Sequence, residues 1–110
     1  MVHEVKRIGF ILKVREDLIG EYKRRHRDVW PEMLDALRRN GWQNYSLFMR
    51  SDGTLFGYVE TPTSFADALE GMSKEEVNAR WQKEMAPFFE GIGQHADQMM
   101  EEMVEVFHLD

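Results

Sequence analysis

A chain of 110 residues with 43% hydrophobic content supports one core and no more, so a single domain spanning residues 1–110 is expected. The net charge of -6, from 14 basic and 20 acidic residues, argues against a nucleic-acid partner, because the cluster Lys23, Arg24, Arg25 and Arg27 is local and flanked by acids. With no cysteine, disulfides, thiolate metal sites and cysteine nucleophiles are excluded, and the lack of staples in so small a chain favours a reducing compartment.

The first seven residues lack the apolar stretch of a signal peptide, and no segment reaches the length of a membrane span. A soluble cytoplasmic protein is the expectation. Ile8, Phe10, Leu12 and Val14 then alternate with Arg7, Gly9, Ile11 and Lys13, which predicts a first strand over residues 5–14. Gly9 falls on the less apolar face and can leave room there for a ligand or a helix. Asp17 is placed to cap a helix that begins at Leu18 and stops at Asn40-Gly41. Pro31 interrupts it, since proline donates no backbone hydrogen bond and turns Trp30 away from helical geometry. Two helical pieces follow, over residues 18–27 and 31–39, joined near 26–30.

Residues 42–50 alternate again, with Trp42, Asn44, Ser46 and Phe48 on one face and Gln43, Tyr45, Leu47 and Met49 on the other. Ser51-Asp52-Gly53-Thr54 is a hairpin signal, and a third strand returns over residues 55–60 until Pro62. Ser64 or Thr63 can cap a short helix that runs to Glu70 and breaks at Gly71. Ser73 and Glu76 fit a capping box for a helix over residues 77–85, stopping near Pro87. Gly91-Ile92-Gly93 reads as loop, and residues 103–109 as the last strand. Met85, Met99, Met100 and Met103 read as flexible core fillers.

The order is strand, helix, strand, strand, helix, strand: an α+β class, with the βαββαβ arrangement of the ferredoxin-like fold. Right-handed crossovers place both helical layers on one sheet face. The other face needs a cover, either a second copy of the chain, giving a homodimer with face-to-face sheets, or a loop from residues 91–100.

Tyr22, His26 and Trp30 recur every four residues, on one face of a continuous helix. A phenol and an imidazole beside aromatic faces suit a sugar, since rings stack on the apolar side of a pyranose and the polar groups handle protons. Aromatics at this spacing also serve as plain core. His26 lies among Lys23, Arg24, Arg25, Arg27 and Asp28, at a solvent boundary next to the helix break, and imidazole titrates near neutrality. His3, His95 and His108 are weaker candidates, and no two histidines have a familiar metal-ligand spacing. Phosphate loops and the serine nucleophile elbow are absent.

Glu21-Tyr22-Lys23-Arg24-Arg25-His26 followed by Val29-Trp30-Pro31-Glu32-Met33 resembles the signature of the L-rhamnose mutarotases. Gly41-Trp42-Gln43-Asn44-Tyr45-Ser46, Arg80-Trp81 and Glu105-Val106-Phe107-His108-Leu109 agree in order and spacing, so the resemblance covers residues 5–109. It implies a dimeric α/β barrel of ferredoxin-like protomers that interconverts the α and β anomers of L-rhamnose without metal or organic cofactor. It gives His26 the proton-donor role and Tyr22, Tyr45 and Trp81 contacts to substrate. The family often carries a second tryptophan after the one matched by Trp81. Here Gln82 puts a hydrogen-bonding amide where a stacking surface would lie, which bears on sugar preference more than on the reaction.

Anomer exchange opens the ring, turns about C1–C2 and closes it. His26 would act as acid toward the ring oxygen, with Tyr22, Tyr45 or a water as its partner and Trp30 as core support. Two other readings suit a dimeric α/β barrel: a cofactor-independent monooxygenase or haem-degrading enzyme, for which His26 is the only good axial ligand, and a non-catalytic sugar-binding module.

Overall fold

The computed structural model describes residues 5–89 and 99–110. Its elements in chain order are β1 (Lys6–Lys13), α1 (Ile19–His26), α2 (Pro31–Arg39), β2 (Gln43–Met49), β3 (Thr54–Thr61), α3 (Phe65–Ser73), α4 (Glu76–Met85) and β4 (Glu101–Met103). Short 3₁₀ turns at Glu16–Leu18 and Ala86–Phe88 lead into α1 and out of α4. The sheet order is β2-β3-β1-β4 with every neighbouring pair antiparallel, which is the ferredoxin-like arrangement.

Alternation decides which face carries the core. Ile8, Phe10 and Leu12 of β1 and Leu55 and Val59 of β3 are buried against the helices, where Met33, Ala36, Phe65, Ala68, Met72 and Met85 meet them. The opposite face leaves Phe48 61% and Phe56 44% exposed. Gly9 lies on that face, and the room above it takes neither a ligand nor a helix: the Phe56 ring and the Met103 methyl stand 3.6 and 3.5 Å from where a Cβ would be.

Pro31 separates the two helical pieces as expected, because Trp30 is extended (φ -56°, ψ 134°) and α2 starts at the proline itself. α2 ends in a Schellman turn: Gly41, at φ 82°, donates to Arg38 O (3.1 Å) and Trp42 N to Leu37 O (3.0 Å). Ser64 caps α3 by accepting from Asp67 N at 3.0 Å.

Four local expectations are overturned. Asp17 caps nothing; it lies inside the 3₁₀ turn and pairs with Arg15 at 3.1 Å, and α1 begins at Ile19. Gly71 does not break α3, which continues to Ser73. The glycine is needed there for space, because a Cβ would collide with the Asn40 side chain. With α3 so extended, Ser73 donates to Glu70 O (2.6 Å) rather than capping α4, and no capping box forms. Trp42 does not share a face with Asn44, Ser46 and Phe48; it is 6% exposed while those three are exposed, owing to a bulge in β2.

The last strand is also shifted. Glu101–Met103 pairs with Ile11–Gly9 of β1, and residues 104–110 pair with no strand among the described residues. The register would allow pairing as far as Lys6. Continued, it would set Glu105 opposite Arg7, and their side chains do meet in a two-pronged ion pair (2.9 and 3.1 Å). Two residues further on, β1 has ended. The period-two pattern of residues 103–109 is real, but Val104, Val106, Phe107 and Leu109 are 79–92% exposed. The loop at residues 91–93, and most of the segment offered as a sheet cover, lie outside the described residues.

Opposite Phe10, Gly57 lets the buried ring lie flat on β3, and a Cβ at that position would intrude on the ring. Gly57→Ala is expected to cost about 1–3 kcal/mol through overpacking. Urea unfolding with an unchanged midpoint would show that the Phe10 ring can move aside.

Candidate active site

Three elements converge on one cavity of about 370 Å³ between the helices and the inner sheet face. α1 supplies Tyr22 and His26, one turn apart, so that both side chains point toward the sheet. β2 supplies Tyr45, and α4 supplies Asn78, Trp81 and Gln82. Leucines and methionines, among them Leu12, Leu37, Leu55 and Met72, make up most of the remaining wall. Among the described residues no carboxylate, ammonium or guanidinium lines this cavity, and no cluster of three His, Asp or Glu side chains is placed to hold a metal.

The rings hold one another in place. His26 stacks on Tyr22 with centroids 4.1 Å apart and planes at 27°, and Trp81 meets the imidazole edge-on at 5.6 Å. Phe88 and Phe89 pack edge-on to Tyr22 at 6.0 and 5.9 Å, and it is 5% exposed. Trp30 does not line the cavity. It packs edge-on against Trp81 at 5.1 Å, with the Arg80 guanidinium 5.8 Å above its own ring, and so supports the wall from behind. Tyr45 packs against Trp42 (5.0 Å) and Phe10 (6.1 Å), and Trp42 is anchored by its indole N–H donating to Ala68 O at 3.2 Å.

Protonation follows from burial. His26 Nδ1 lies 3.0 Å from Tyr22 O. A carbonyl only accepts, so Nδ1 carries the hydrogen and Nε2 is the basic nitrogen of the neutral ring. Nε2 has no hydrogen-bond partner among the described residues. Burial lowers the imidazole below its ordinary value of 6.5, against the smaller opposite pull of the Tyr22 carbonyl. Burial also raises both phenols, Tyr22 with a further contribution from Tyr45. At neutral pH the site therefore holds one unprotonated imidazole nitrogen and two protonated phenols.

The fold brings all five expected site residues, His26, Tyr22, Tyr45, Trp81 and Gln82, to the same cavity. Asn78 joins them and was not anticipated. It lies one turn before Gln82 on α4, is 3% exposed, and accepts a hydrogen bond from Gln82 Nε2 at 3.1 Å. The i, i+4 spacing of two amides was the available signal. His108 is remote, in the exposed tail, 2.8 Å from Asp110, and His3 and His95 lie outside the described residues.

Comparison with known proteins gives a consistent match. Residues 7–109 fit the family model described as L-rhamnose mutarotase. The chain is similar to the L-rhamnose mutarotases of Bacillus subtilis (37% identity) and Oceanobacillus iheyensis (35%), in each case over 96% of this chain and all of the relative. Among solved structures, it resembles the crystal structure of L-rhamnose mutarotase from Formosa agariphila, with a TM-score of 0.74 and 26% identity, covering 96% of this chain and 99% of that one.

A histidine buried in its neutral form binds protons less readily folded than unfolded. Its share of stability is present above 6.5 and is lost as pH falls through the lower folded value. Ring-proton NMR of His26 is expected to give a midpoint below 6.5. A midpoint at or above that value would contradict the buried, neutral imidazole.

Proposed function

The chain belongs to the L-rhamnose mutarotase family, and we propose that its cavity exchanges the α and β anomers of L-rhamnose by opening and reclosing the pyranose ring. It is an isomerase whose working parts are all side chains of this chain, with no metal or organic cofactor. His26 carries the reading: its one ring hydrogen is already given to the Tyr22 carbonyl, and the residue lines a cavity with no charged side chain among the described residues.

That protonation state sets the order of events. A neutral imidazole with its only N–H engaged has to accept before it can donate. Nε2 takes the proton from the anomeric hydroxyl. As the C1–O1 bond becomes a carbonyl, the bond between C1 and the ring oxygen breaks, and the ring oxygen needs a proton. Both oxygens were bonded to C1, so the imidazolium is near each in turn and donates to the second what it took from the first. Rotation about C1–C2 and the same steps in reverse close the other anomer. Tyr22 and Tyr45, held in the phenol form, donate hydrogen bonds to sugar oxygens instead of removing protons. Trp81 supplies an apolar face for the sugar ring, and the Gln82–Asn78 pair a polar contact that reads its hydroxyl pattern.

The reading extends to assembly and place. The chain acts as one domain, and a second copy covers the exposed sheet face, forming a homodimer of the dimeric α/β barrel type. The exposed Phe48 and Phe56, and the apolar tail from Val104 to Leu109, support this. It works on rhamnose in carbohydrate metabolism in the cytoplasm, without nucleic acid or membrane. The net charge of -6 accords with this, and among the described residues no helix is long and apolar enough to cross a membrane.

Exchange NMR between the two anomeric protons of L-rhamnose tests the reaction. The wild type is expected to accelerate exchange, and His26→Ala to lose about 10²–10⁴-fold of that acceleration. A variant as fast as wild type would remove His26 from the chemistry. A wild type that binds the sugar yet matches buffer would make the protein a binding module. Sedimentation equilibrium is expected to return twice the chain mass of 13.1 kDa, and a monomer at micromolar concentration would refute the dimer.

A further inference from the structure

The geometry points to Asn44 as a positioning residue that sets Tyr45 in the cavity through the bulge it forms in β2. The inference rests on the proposed role of Tyr45 as a contact to the sugar. Gln43 pairs with Glu60 and Ser46 with Tyr58, so Asn44 and Tyr45 together stand opposite the single residue Val59. One extra residue in a strand reverses its inside–outside alternation. That reversal allows Trp42 and Tyr45, three positions apart, to lie on the same inner side with centroids 5.0 Å apart. In a strand of unbroken alternation, the two rings would sit on opposite faces and one of them would leave the core.

Two properties make Asn44 suited to this. It is at φ 49°, the only non-glycine residue at positive φ among the described residues. Asparagine enters that left-handed region more readily than other side chains except glycine. Its amide is also clamped: Asn44 Nδ2 donates to Glu60 Oε1 at 2.9 Å, and Tyr58 OH donates to Glu60 Oε2 at 2.8 Å. These two bonds hold the Glu60 carboxyl below its ordinary range, so it stays ionised and accepting. None of the three clamp residues lines the cavity, so any effect of Asn44 on the reaction is indirect, through the inward-turned rings of Tyr45 and Trp42 that do.

The test compares Asn44→Gly, which keeps the left-handed conformation, with Asn44→Ala, which disfavours it, and adds Tyr45→Phe and the Asn44→Ala/Tyr45→Phe double variant. Two quantities are read: the NOE between the Tyr45 and Trp42 rings, and KM and kcat for L-rhamnose anomer exchange. Asn44→Gly is expected to keep the NOE and a KM within about twofold of wild type, while Asn44→Ala loses the NOE and raises KM about tenfold, with kcat changing less. The double variant is expected to be no worse than Asn44→Ala alone. If Asn44→Ala does not fold, Glu60→Ala releases the clamp without touching the bulge residue, and is expected to weaken the same NOE and raise KM. The proposal is overturned if Asn44→Ala keeps the NOE and KM, if glycine and alanine are equally damaging, if the double variant shows the sum of two independent losses, or if Glu60→Ala changes neither quantity. Should Tyr45→Phe leave KM unchanged while Asn44→Ala still loses the NOE, the positioning role of Asn44 stands and the sugar contact proposed for Tyr45 falls.

Discussion

The site depends on aromatic packing between one sheet face and the helices above it. Tyr22 packs against His26, Phe88 and Phe89, and Trp81 against His26 and Trp30. This ring layer positions the polar atoms and partly excludes water from them. Exclusion determines protonation: the imidazole loses its proton more readily, the phenols keep theirs, and the cavity wall carries no charged side chain among the described residues. A neutral sugar needs no charged partner, and a reaction that runs equally in both directions needs a group that takes and returns one proton. An isolated imidazole between rings meets both needs.

The same sheet has two unlike faces for one reason. Both crossovers of a βαββαβ chain turn the same way, so all the helices pack on one side and the inner residues of β1 and β3 are spent on that core. Apolar groups elsewhere stay exposed: Phe48 and Phe56, a cross-strand pair on the other sheet face, and Val104, Val106, Phe107 and Leu109 beyond β4. Close approach is arranged through small residues instead: Gly57 beneath the Phe10 ring, and Gly71 where α3 passes the Asn40 side chain.

Much of the architecture was legible because it rests on local rules. Pro31 had to separate α1 from α2, Asn40-Gly41 had to end α2, and Asp52-Gly53 had to turn the hairpin, where Thr54 N donates to Asp52 Oδ1 at 2.9 Å. His26 and Tyr22 were legible as a pair from their spacing, and the family resemblance gave that pair a chemistry. Where expectation failed, a side-chain partner outside the expected motif had intervened. Arg15 takes the carboxylate that was to cap α1, and Asn40 fixes the glycine that was to end α3. The last alternating segment pairs with β1 only as far as Met103.

Sequence by itself therefore determined the order and type of the elements and the break between α1 and α2, which follow from spacing along the chain, and its resemblance pointed to the family. Tertiary structure decided what spacing does not carry. The bulge opposite Val59 turns Trp42 and Tyr45 to the same side, although strict alternation separates them. The fold brings α4 against α1, placing Trp81, Gln82 and Asn78 beside His26. It also half-buries the imidazole, with its hydrogen on Nδ1. Protonation depends on how many atoms surround a group from every direction, and neighbours in sequence supply only a few of them.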